Sequence, residues 1–437
     1  MNIILLSGGS GKRLWPLSND ERSKQFIKIF KNDQGQYESM LQRMYRSFMK
    51  IDPEAKITIA APKTQIPSIR NQIGEEVSIS TEPCRRDTFP AIVLASAFLH
   101  DKLNVDPNET VIVCPVDPYV EEDYFLAVKE LDQLVQEDAA SLVLLGMQPT
   151  YPSEKYGYII PAATGKISKV ETFKEKPDAK TAALYISRGA LWNGGVFAYR
   201  LGYMLDKAEH IIGTSDYREL YDKYDSLEKI SIDYAIVEKE ANTAVRKFTG
   251  KWKDLGTWNT LTEAMEENTV GDVTISDDCK NVHAINHLGM PLFIMGLHDA
   301  VVAACPDGVL VSDKTQSSYI KPYIDKLDAT VKVADKHYGN YLVLDNDSNS
   351  LTVRISMNAG QAISYHSHQF RDETWTIISG NGTVTLEGEK RDVCPGDVVR
   401  MSAGQKHSVR AGTDLVLIEI QLGHDIDSSD ITRWSEG

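Results

Sequence analysis

The residues best suited to chemistry lie in a glycine-rich loop near the amino terminus. The loop directly follows Asn2–Leu6, an apolar run of strand length, and reads Ser7-Gly8-Gly9-Ser10-Gly11-Lys12-Arg13. Glycines let backbone N–H groups approach an anion without a Cβ in the way, and the two basic residues add charge. A buried strand that opens into such a loop is typical of phosphate binding. The spacing matches neither the dinucleotide fingerprint nor the Walker loop, and a plain glycine turn at an edge strand is the alternative.

A second set of chemically capable residues lies near the carboxyl terminus. His366-Ser367-His368 puts two imidazoles on one face of a predicted strand, and Glu373 and His407 follow. This pattern resembles the paired motifs of cupins, which implies that His366, His368, Glu373 and His407 bind one divalent metal ion inside a barrel. Histidines and a carboxylate on a rigid β scaffold suit Fe²⁺, Mn²⁺, Ni²⁺ or Zn²⁺, and the spacing does not choose among them.

The elements that must position the first set alternate between strands and helices up to about residue 262. Short apolar runs at 57–60, 111–114 and 142–145 predict buried parallel strands, and the stretches 90–103 and 124–136 predict helices. This alternation predicts an α/β unit with a doubly wound sheet. In such sheets the site lies at the carboxyl ends of the strands, and the glycine loop, Asp117 and Gly146 are all expected just beyond strand ends.

The pattern of predicted secondary structure changes twice after this unit. Residues 263–330 are β-rich with weak periodicity and predict a linker-like or β-helical segment. From residue 331 to 437, regularly spaced strands alternate with glycine turns, at 352–357, 374–378, 383–386, 398–401 and 415–421. Such spacing predicts an antiparallel jelly roll. We therefore expect domains at 1–262, 263–330 and 331–437.

Bulk composition narrows the classes of partner and the compartment. A chain of 437 residues is expected to form two or three domains. Its formal net charge of −15 argues against a nucleic-acid or anionic-membrane partner, although one basic pocket still allows a nucleotide substrate. The five cysteines form no CxxC pair and suggest free thiols in a reducing cytosol. No apolar run is long enough to span a membrane, so a soluble, cytoplasmic protein is expected.

Motifs in the first 260 or so residues resemble the mannose-1-phosphate guanylyltransferases, nucleotidyltransferases that join GTP to a sugar 1-phosphate and release pyrophosphate. The whole chain resembles the longer bacterial form, with a cupin at its carboxyl end. The resemblance rests on the stretch from Gly8 to Ser18, Lys24-Gln25-Phe26, Glu82-Pro83, Pro115-Val116-Asp117, Tyr156-Gly157-Tyr158, Phe173-Lys174-Glu175-Lys176-Pro177, Trp192-Asn193-Gly194-Gly195, Ser231-Ile232-Asp233-Tyr234-Ala235 and Trp252 with Asp254. It implies a Rossmann-like nucleotidyltransferase domain.

The resemblance also implies a role for each site residue. Arg13, Lys24, Asp117 and Asp254 are the implied catalytic residues, and the two aspartates would bind Mg²⁺. The nucleotide would contact Leu6, Gly8, Gly9, Ser10, Gly11, Lys12, Arg13, Glu82 and Asp87. The sugar phosphate would contact Gly146, Gly157, Glu175, Lys176 and Asn193. As alternatives, Asp117 could be a turn residue beside Pro118, and Asp254 a helix cap or turn residue.

Departures from the family pattern leave open which sugar phosphate is the substrate and whether the barrel is an active isomerase. Asp87, Pro118 and Gly194 replace the usual Asn, His and Ser at the edge of the pocket. GTP and mannose 1-phosphate, giving GDP-mannose, are the expected substrates, and another sugar such as a heptose 1-phosphate is the alternative. In the barrel, His366 and Phe370 replace residues of the related mannose-6-phosphate isomerases, so isomerase activity stays open. A homo-oligomer is compatible with the sequence, and a binding protein without turnover is the rival from another class.

Overall fold

The computed structural model describes residues 1–9, 12–19, 21–327, 331–424, 426 and 429–435. The first part of the chain folds as an α/β unit. Its strands are β1 (Asn2–Leu6), β2 (Phe30–Lys31), β3 (Tyr37–Glu38), β4 (Lys56–Pro62), β5 (Ser78–Glu82), β6 (Thr110–Pro115), β7 (Pro118–Val120), β8 (Leu142–Met147), β9 (Tyr158–Pro161), β10 (Ile167–Lys174), β11 (Leu191–Arg200), β12 (Thr243–Phe248) and β13 (Trp252–Asp254). Its helices are α1 (Met40–Ile51), α2 (Ile66–Ile73), α3 (Thr88–Asp101), α4 (Glu122–Gln136), α5 (Ala179–Ser187), α6 (Leu201–Ile212), α7 (Tyr217–Asp222), α8 (Ile232–Ala235) and α9 (Trp258–Thr262).

One mixed sheet of nine strands organises this unit, in the order β5-β4-β1-β6-β11-β8-β12-β10-β9. The strand β1 lies between β4 and β6 and pairs in parallel with both, as a nearly continuous apolar sequence predicts. The predicted strands at 57–60, 111–114 and 142–145 are confirmed as parts of β4, β6 and β8. The antiparallel strand β11, inserted between β6 and β8, was not predicted from the sequence.

Helices cover both faces of the sheet and bury a separate apolar core on each. One core receives α1 and α4, through Met44, Phe48, Val128 and Leu131. The other core receives α3 and α6, through Ile92, Leu94, Leu99 and Met204. The helix α3 is apolar around most of its circumference because it is enclosed by the sheet and by α6 and α7. The predicted doubly wound arrangement is confirmed.

The middle segment consists of short strands, most of which pair in parallel, whereas the last two pair antiparallel. They are β14 (Thr269–Val270), β15 (Val273–Ile275), β16 (His283–Asn286), β17 (Leu292–Ile294), β18 (Ala300–Cys305) and β19 (Gly308–Asp313), followed by the helix α10 (Lys321–Ile324). The strands β14, β16 and β18 pair in parallel, as do β15 and β17, in the manner of a small β-helix. Its core is continuous with the first unit, because Trp258 and Leu14 share one apolar cluster with Ile285 and Val301.

The last part of the chain forms an all-β barrel. Its strands are β20 (Val333–Lys336), β21 (Gly339–Asp347), β22 (Ser350–Met357), β23 (Ala362–Ser367), β24 (Arg371–Ser379), β25 (Gly382–Leu386), β26 (Glu389–Val393), β27 (Val398–Met401), β28 (His407–Ala411), β29 (Leu415–Gly423) and β30 (Thr432–Arg433). A six-stranded antiparallel sheet and a five-stranded one enclose a core that contains Trp375, Val409 and Leu417. The jelly roll predicted from the sequence is confirmed.

Two further expectations concern boundaries and membranes. The domain limits at residues 262 and 330 stay a prediction, and residues 328–330 lie outside the described part of the chain. Among the helices of the described residues, none combines the length and the apolar sequence that crossing a bilayer requires.

Candidate functional sites

The predicted phosphate loop begins where β1 ends, beside the end of its neighbour β6. Gly8 and Gly9 are exposed, and Gly9 has a φ of 108°, a conformation that favours glycine. Arg13 is exposed on the short 3₁₀ turn that follows. Ser10 and Gly11 lie outside the described residues, and so does the side chain of Lys12.

Lys24, Asp117 and Asp254 meet beside this loop. The Nζ atom of Lys24 lies 2.8 Å from Oδ2 of Asp117 and 3.9 Å from Oδ1 of Asp254. Pairing of the short strands β7 and β13 sets the two carboxylates together, because Asp254 is the register partner of Pro118, the residue after Asp117. Lys24 itself is only 8% exposed. The structure therefore brings together one buried cation and two distant aspartates that the sequence singled out.

The two carboxylates differ in their electrostatics. Burial disfavours the charged form of Asp117, but the nearby Lys24 ammonium outweighs burial and lowers the pKa of that carboxyl. At Asp254, burial and the negative charge of Asp117 both raise the pKa of the carboxyl. They outweigh the opposing effect of Lys24, which is more distant from Asp254 than from Asp117. The pair thus carries excess negative charge that Lys24 neutralises unequally.

A cavity of about 350 Å³ opens next to the loop. Its lining includes six of the predicted residues, namely Leu6, Gly8, Gly9, Glu82, Asp87 and Asp117. Glu82 accepts a hydrogen bond of 2.9 Å from the Tyr224 hydroxyl, and burial raises the pKa of Glu82. Asp87 caps α3 by accepting from the Thr88 N–H, and its φ of 70° is unusual for a residue with a side chain. Sequence reasoning missed Arg85 and Lys229, which also line the cavity.

Predicted sugar residues form a second cluster where β9 begins and β10 ends, beside Asn193 on β11. Glu175 is 7% exposed; its Oε1 lies 2.5 Å from Lys176 Nζ, whereas its Oε2 has no hydrogen-bond partner among the described residues. A Cβ on Gly157 would lie 2.4 Å from that Oε2, so the glycine leaves room for the carboxylate. Asn193 donates from Nδ2 to Oδ1 of Asp233 at 2.7 Å.

Asp233 is a member of this cluster to which the sequence assigned no role. Burial, together with the Glu175 carboxylate, raises the pKa of Asp233 to about 6. Its position in the stretch Ser231-Ile232-Asp233-Tyr234 was the available signal.

The expectation for Gly146 requires a correction. It lies inside β8, opposite Asn193 on β11, and not beyond the end of the strand. A Cβ at this position would come within 2.6 Å of Leu191 and 2.8 Å of Val245. Close packing between strands therefore explains this glycine, and the apolar run of β8 simply continues two residues further than the sequence pattern indicated.

The predicted barrel ligands converge in one buried cluster. One potential ligand atom from each of His366, His368, Glu373 and His407 lies within 4.8 Å of the others. His366, His368 and His407 direct Nδ1 to the backbone carbonyls of Ser364, Asp430 and Gln405 respectively, which leaves Nε2 as the ring nitrogen that can ligate a metal. The Nε2 atom of His368 also lies 3.1 Å from Glu373 Oε1 and 3.3 Å from Arg371 Nη2. Glu373 Oε2 and His407 Nε2 lie 3.2 Å apart, yet neither has a hydrogen-bond partner of good geometry among the described residues. Orphaned acceptors of this kind fit a divalent metal ion.

Electrostatics and neighbours support the same interpretation of the barrel cluster. Burial, with the neighbouring His407, lowers the pKa of His366 to about 4, so the imidazole is neutral and able to ligate. Sequence reasoning missed Glu419, which accepts from Trp375 Nε1 at 2.8 Å and is buried. Burial, reinforced by Glu373, raises the pKa of Glu419 to about 7.

The fold and the sites define a class: an α/β nucleotidyltransferase unit joined through a β-rich segment to a cupin barrel. Residues 2–270 match the Nucleotidyl transferase family, and residues 325–436 match the family described as Mannose-6-phosphate isomerase C-terminal. The chain belongs to the nucleotidyl transferase family and is an enzyme of that type.

Curated relatives match this chain over nearly the whole length of both proteins. The chain is 30% identical to the xanthan biosynthesis protein XanB of Xanthomonas campestris pv. campestris, over 99% of this chain and 98% of that protein. It is 27% identical to the mannose-1-phosphate guanylyltransferase ManC of Salmonella typhimurium, over 99% of this chain and 97% of that protein. A crystal structure described as mannose-1-phosphate geranyltransferase from Thermus thermophilus superposes with a TM-score of 0.63 at 27% identity, covering 75% of this chain and 99% of the other.

Proposed function

We propose that this enzyme transfers a guanylyl group from GTP to mannose 1-phosphate, giving GDP-mannose and pyrophosphate. The observation that carries the proposal is the buried Lys24, which lies between Asp254 and Asp117, and Asp117 lines the cavity. In this reaction a sugar-phosphate oxygen bonds to the α-phosphorus of GTP, while the bond from that phosphorus to the oxygen bridging to the β-phosphate breaks. Relatives named mannose-1-phosphate guanylyltransferase that match 99% of the chain support the choice of substrates.

The loop side of the site holds the triphosphate. We expect backbone N–H groups of the loop to face the phosphates, and Lys24 and Arg13 to neutralise charge that develops as pyrophosphate leaves. Glu82 and Asp87 line the part of the cavity that receives the nucleoside. Positioning and charge account for this catalysis, because the chain needs to form no covalent intermediate.

Two carboxylates beside one cation fit Mg²⁺ as the metal of this site. Asp117 and Asp254 retain partly exposed side chains, 35% and 40%, and already share the charge of Lys24. Hard carboxylate oxygens are ligands that Mg²⁺ prefers. When bound, the ion supplies charge that neutralises the triphosphate.

The second cluster holds the sugar phosphate. The unpartnered Oε2 of Glu175 accepts a sugar hydroxyl, and Lys176 meets the phosphate. Asn193 is fixed by Asp233 through its Nδ2 atom and by the Gly195 N–H, which donates to its Oδ1 at 3.1 Å. An oriented amide beside a buried carboxylate can distinguish sugars by the direction of their hydroxyls.

A panel of nucleoside triphosphates and sugar 1-phosphates, scored by pyrophosphate release, tests the proposal. GTP with mannose 1-phosphate should give the highest kcat/KM. A higher value for another pair, such as one with a heptose 1-phosphate, would replace the substrate and keep the reaction. No release with any pair would refute the reaction itself.

The barrel favours a second candidate activity, the interconversion of fructose 6-phosphate and mannose 6-phosphate. The match of residues 325–436 to the Mannose-6-phosphate isomerase C-terminal family and the buried cluster of histidines and Glu373 support it. A bound transition metal, Zn²⁺, Mn²⁺, Fe²⁺ or Ni²⁺, would polarise the sugar oxygens. Purified protein should convert fructose 6-phosphate to mannose 6-phosphate, and a lack of conversion in metal-loaded protein would leave the barrel without this role.

The same proposal includes partners and compartment. GTP and sugar phosphates are the expected ligands, and we expect neither nucleic acid nor membrane to bind this acidic chain, with its net charge of −15. The described cysteines are all free thiols, which fits a reducing cytoplasm.

A further inference from the structure

Four buried polar side chains lie behind the phosphate loop and have no role in the proposed function. Ser7, Ser23, Gln25 and Gln65 are each at most 1% exposed. Burying so many polar groups is costly unless they are hydrogen-bonded to one another. Their arrangement therefore requires a physical reason.

Gln65 is the centre of this group, which we call the glutamine network. Its Oε1 accepts from the Ser7 hydroxyl at 3.0 Å and from Gln25 Nε2 at 3.1 Å. Its Nε2 donates to the Ser23 hydroxyl at 2.9 Å. Gln25 Nε2 also contacts Ser7 Oγ at 3.1 Å, so the network closes a ring.

The network joins the two parts of the anion site. Ser7 is the first residue of the phosphate loop, and its N–H donates to the carbonyl of Ala60 at 2.9 Å. Ser23 and Gln25 flank Lys24, the cation that contacts both aspartates. Of the side-chain atoms in the network, only Gln25 Oε1 has no partner among the described residues. Breaking one of the other bonds would leave a further buried group unsatisfied, so the network favours a single arrangement of loop and lysine.

The same glutamine adjoins the surface on which the barrel packs. Gln65 immediately precedes α2, and three residues later the Ser68 hydroxyl donates to Oδ2 of Asp335 in β20 at 2.7 Å. One turn further on, Asn71 Nδ2 donates to the carbonyls of Lys336 and Gly339 at 3.0 Å each. The helix α2 therefore contacts the barrel at its outer face and the glutamine network at its beginning.

We propose that Gln65 is a positioning residue for nucleotidyl transfer, and that α2 couples its position to the docking of the barrel. This inference rests on the proposed function, because it assigns Lys24 and the loop to the reacting phosphates. The barrel then supports the first reaction through contact, independently of its own metal chemistry.

The first test replaces Gln65→Met, which keeps the length of the side chain and removes its hydrogen bonds. The kcat of nucleotidyl transfer should fall roughly 10- to 100-fold, because displacement by a fraction of an ångström at reacting groups is sufficient. The KM for the sugar phosphate should change less than about threefold, because Glu175 and Asn193 lie outside the network. Thr64→Ala, an exposed neighbour on the same turn, serves as the matched control.

The second test replaces Ser68→Ala and Asn71→Ala together in the full chain. We expect kcat/KM for nucleotidyl transfer to fall roughly three- to tenfold while the metal content of the barrel is unchanged, since mutations in packed elements between two sites change their coupling by about this much. Activity equal to wild type would overturn the coupling.

For Gln65→Met, a kcat within twofold of wild type, or a loss that disappears when rates are scaled to the folded fraction from thermal unfolding, would overturn the positioning role. All ratios are measured with the best substrate pair of the panel. Absent turnover by the wild-type protein would refute the proposed function instead, so the two failures are distinguishable.

Discussion

At the residue scale, the environment of Lys24 explains why two partly exposed aspartates can lie together. Its ammonium is the charge that keeps the pKa of Asp117 low against burial. Without a cation the two carboxylates would repel each other, and one of them would bind a proton. In the proposed reaction, a lysine in this position would prepare the site for a polyphosphate.

Lys24→Met should therefore lower kcat for nucleotidyl transfer by about 100-fold or more, by removing a charge that acts on the developing negative charge. Lys24→Arg should retain part of the activity because it keeps the charge. Steady-state kinetics with GTP and mannose 1-phosphate checks this. A methionine variant as active as wild type would contradict the role.

Asp233 leads to a prediction about stability. Its pKa of about 6 in the folded protein is well above the ordinary value of 3.8, so the folded state holds this proton more tightly than the unfolded chain. Stability must therefore fall as the pH rises from about 4 to about 6, where the folded carboxyl also ionises.

Asp233→Asn removes this cost while retaining an acceptor for Asn193. We expect the variant to exceed wild type in unfolding free energy by roughly 1–2 kcal/mol at pH 8 and by less at pH 5. Denaturant unfolding at both pH values measures the difference. An advantage that is equal at both pH values, or absent, would contradict the assignment.

The structure brings together residues that the sequence singled out, and their roles stay a prediction. Lys24, Asp117 and Asp254 are far apart in sequence, yet the carboxyl ends of adjacent parallel strands bring the loop and Asp117 together, as the α/β pattern requires. Asp233 and Glu419 received no role because nothing in the pattern indicates burial beside another carboxylate. Their raised pKa values arise only from tertiary packing.

At the element scale, the strands β9, β10 and β11 bring the sugar cluster together. The backbone of Gly157 lies against the Glu175 carboxylate, and the Asn193 N–H donates to the Gly157 carbonyl at 2.8 Å. The three strands can approach this closely because one position carries no side chain.

Gly157→Ala should raise the KM for the sugar phosphate about tenfold, because its Cβ would displace Oε2 of Glu175 and the ring of Phe173. The KM for GTP should change little. Gly165→Ala, in the turn between β9 and β10, is the control, since its Cβ would meet only the carbonyl of Ile167 at 3.4 Å. Equal effects on both substrates would indicate general unfolding of the hairpin.

Element types were predictable where periodicity was strong. The predicted helix at 124–136 corresponds closely to α4, whose first turn carries Glu122 and Asp123 as an N-terminal signal. The antiparallel placement of β11 was not predictable, because a buried strand has the same apolar sequence in either direction. Its register shift between Asn193 and Phe197 is equally invisible in the sequence.

At the scale of the whole molecule, three units share surfaces that no motif encodes. The β-helical segment extends the core around Trp258, and the barrel docks on α2 through a few hydrogen bonds. Such polar contacts between surface residues carry no periodic signal, so sequence patterns predicted the units and not their assembly. The barrel cluster and the phosphate loop belong to different units, so we expect the two proposed metal sites to have independent requirements.

This independence gives the last prediction, which concerns metal content. Purified protein should contain one divalent transition metal per chain, held by the buried imidazoles and Glu373. His366→Ala and His407→Ala should each reduce that content to below about a tenth, because losing one of few ligands weakens binding strongly. His337→Ala is the control, since this histidine is exposed and hydrogen-bonds the Ala362 carbonyl. Elemental analysis of each purified protein measures the metal content. Wild-type protein that stays metal-free after incubation with Zn²⁺, Mn²⁺, Fe²⁺ and Ni²⁺ would show that the cluster is only a structural part of the barrel. An equal loss of metal in all three variants would show the same.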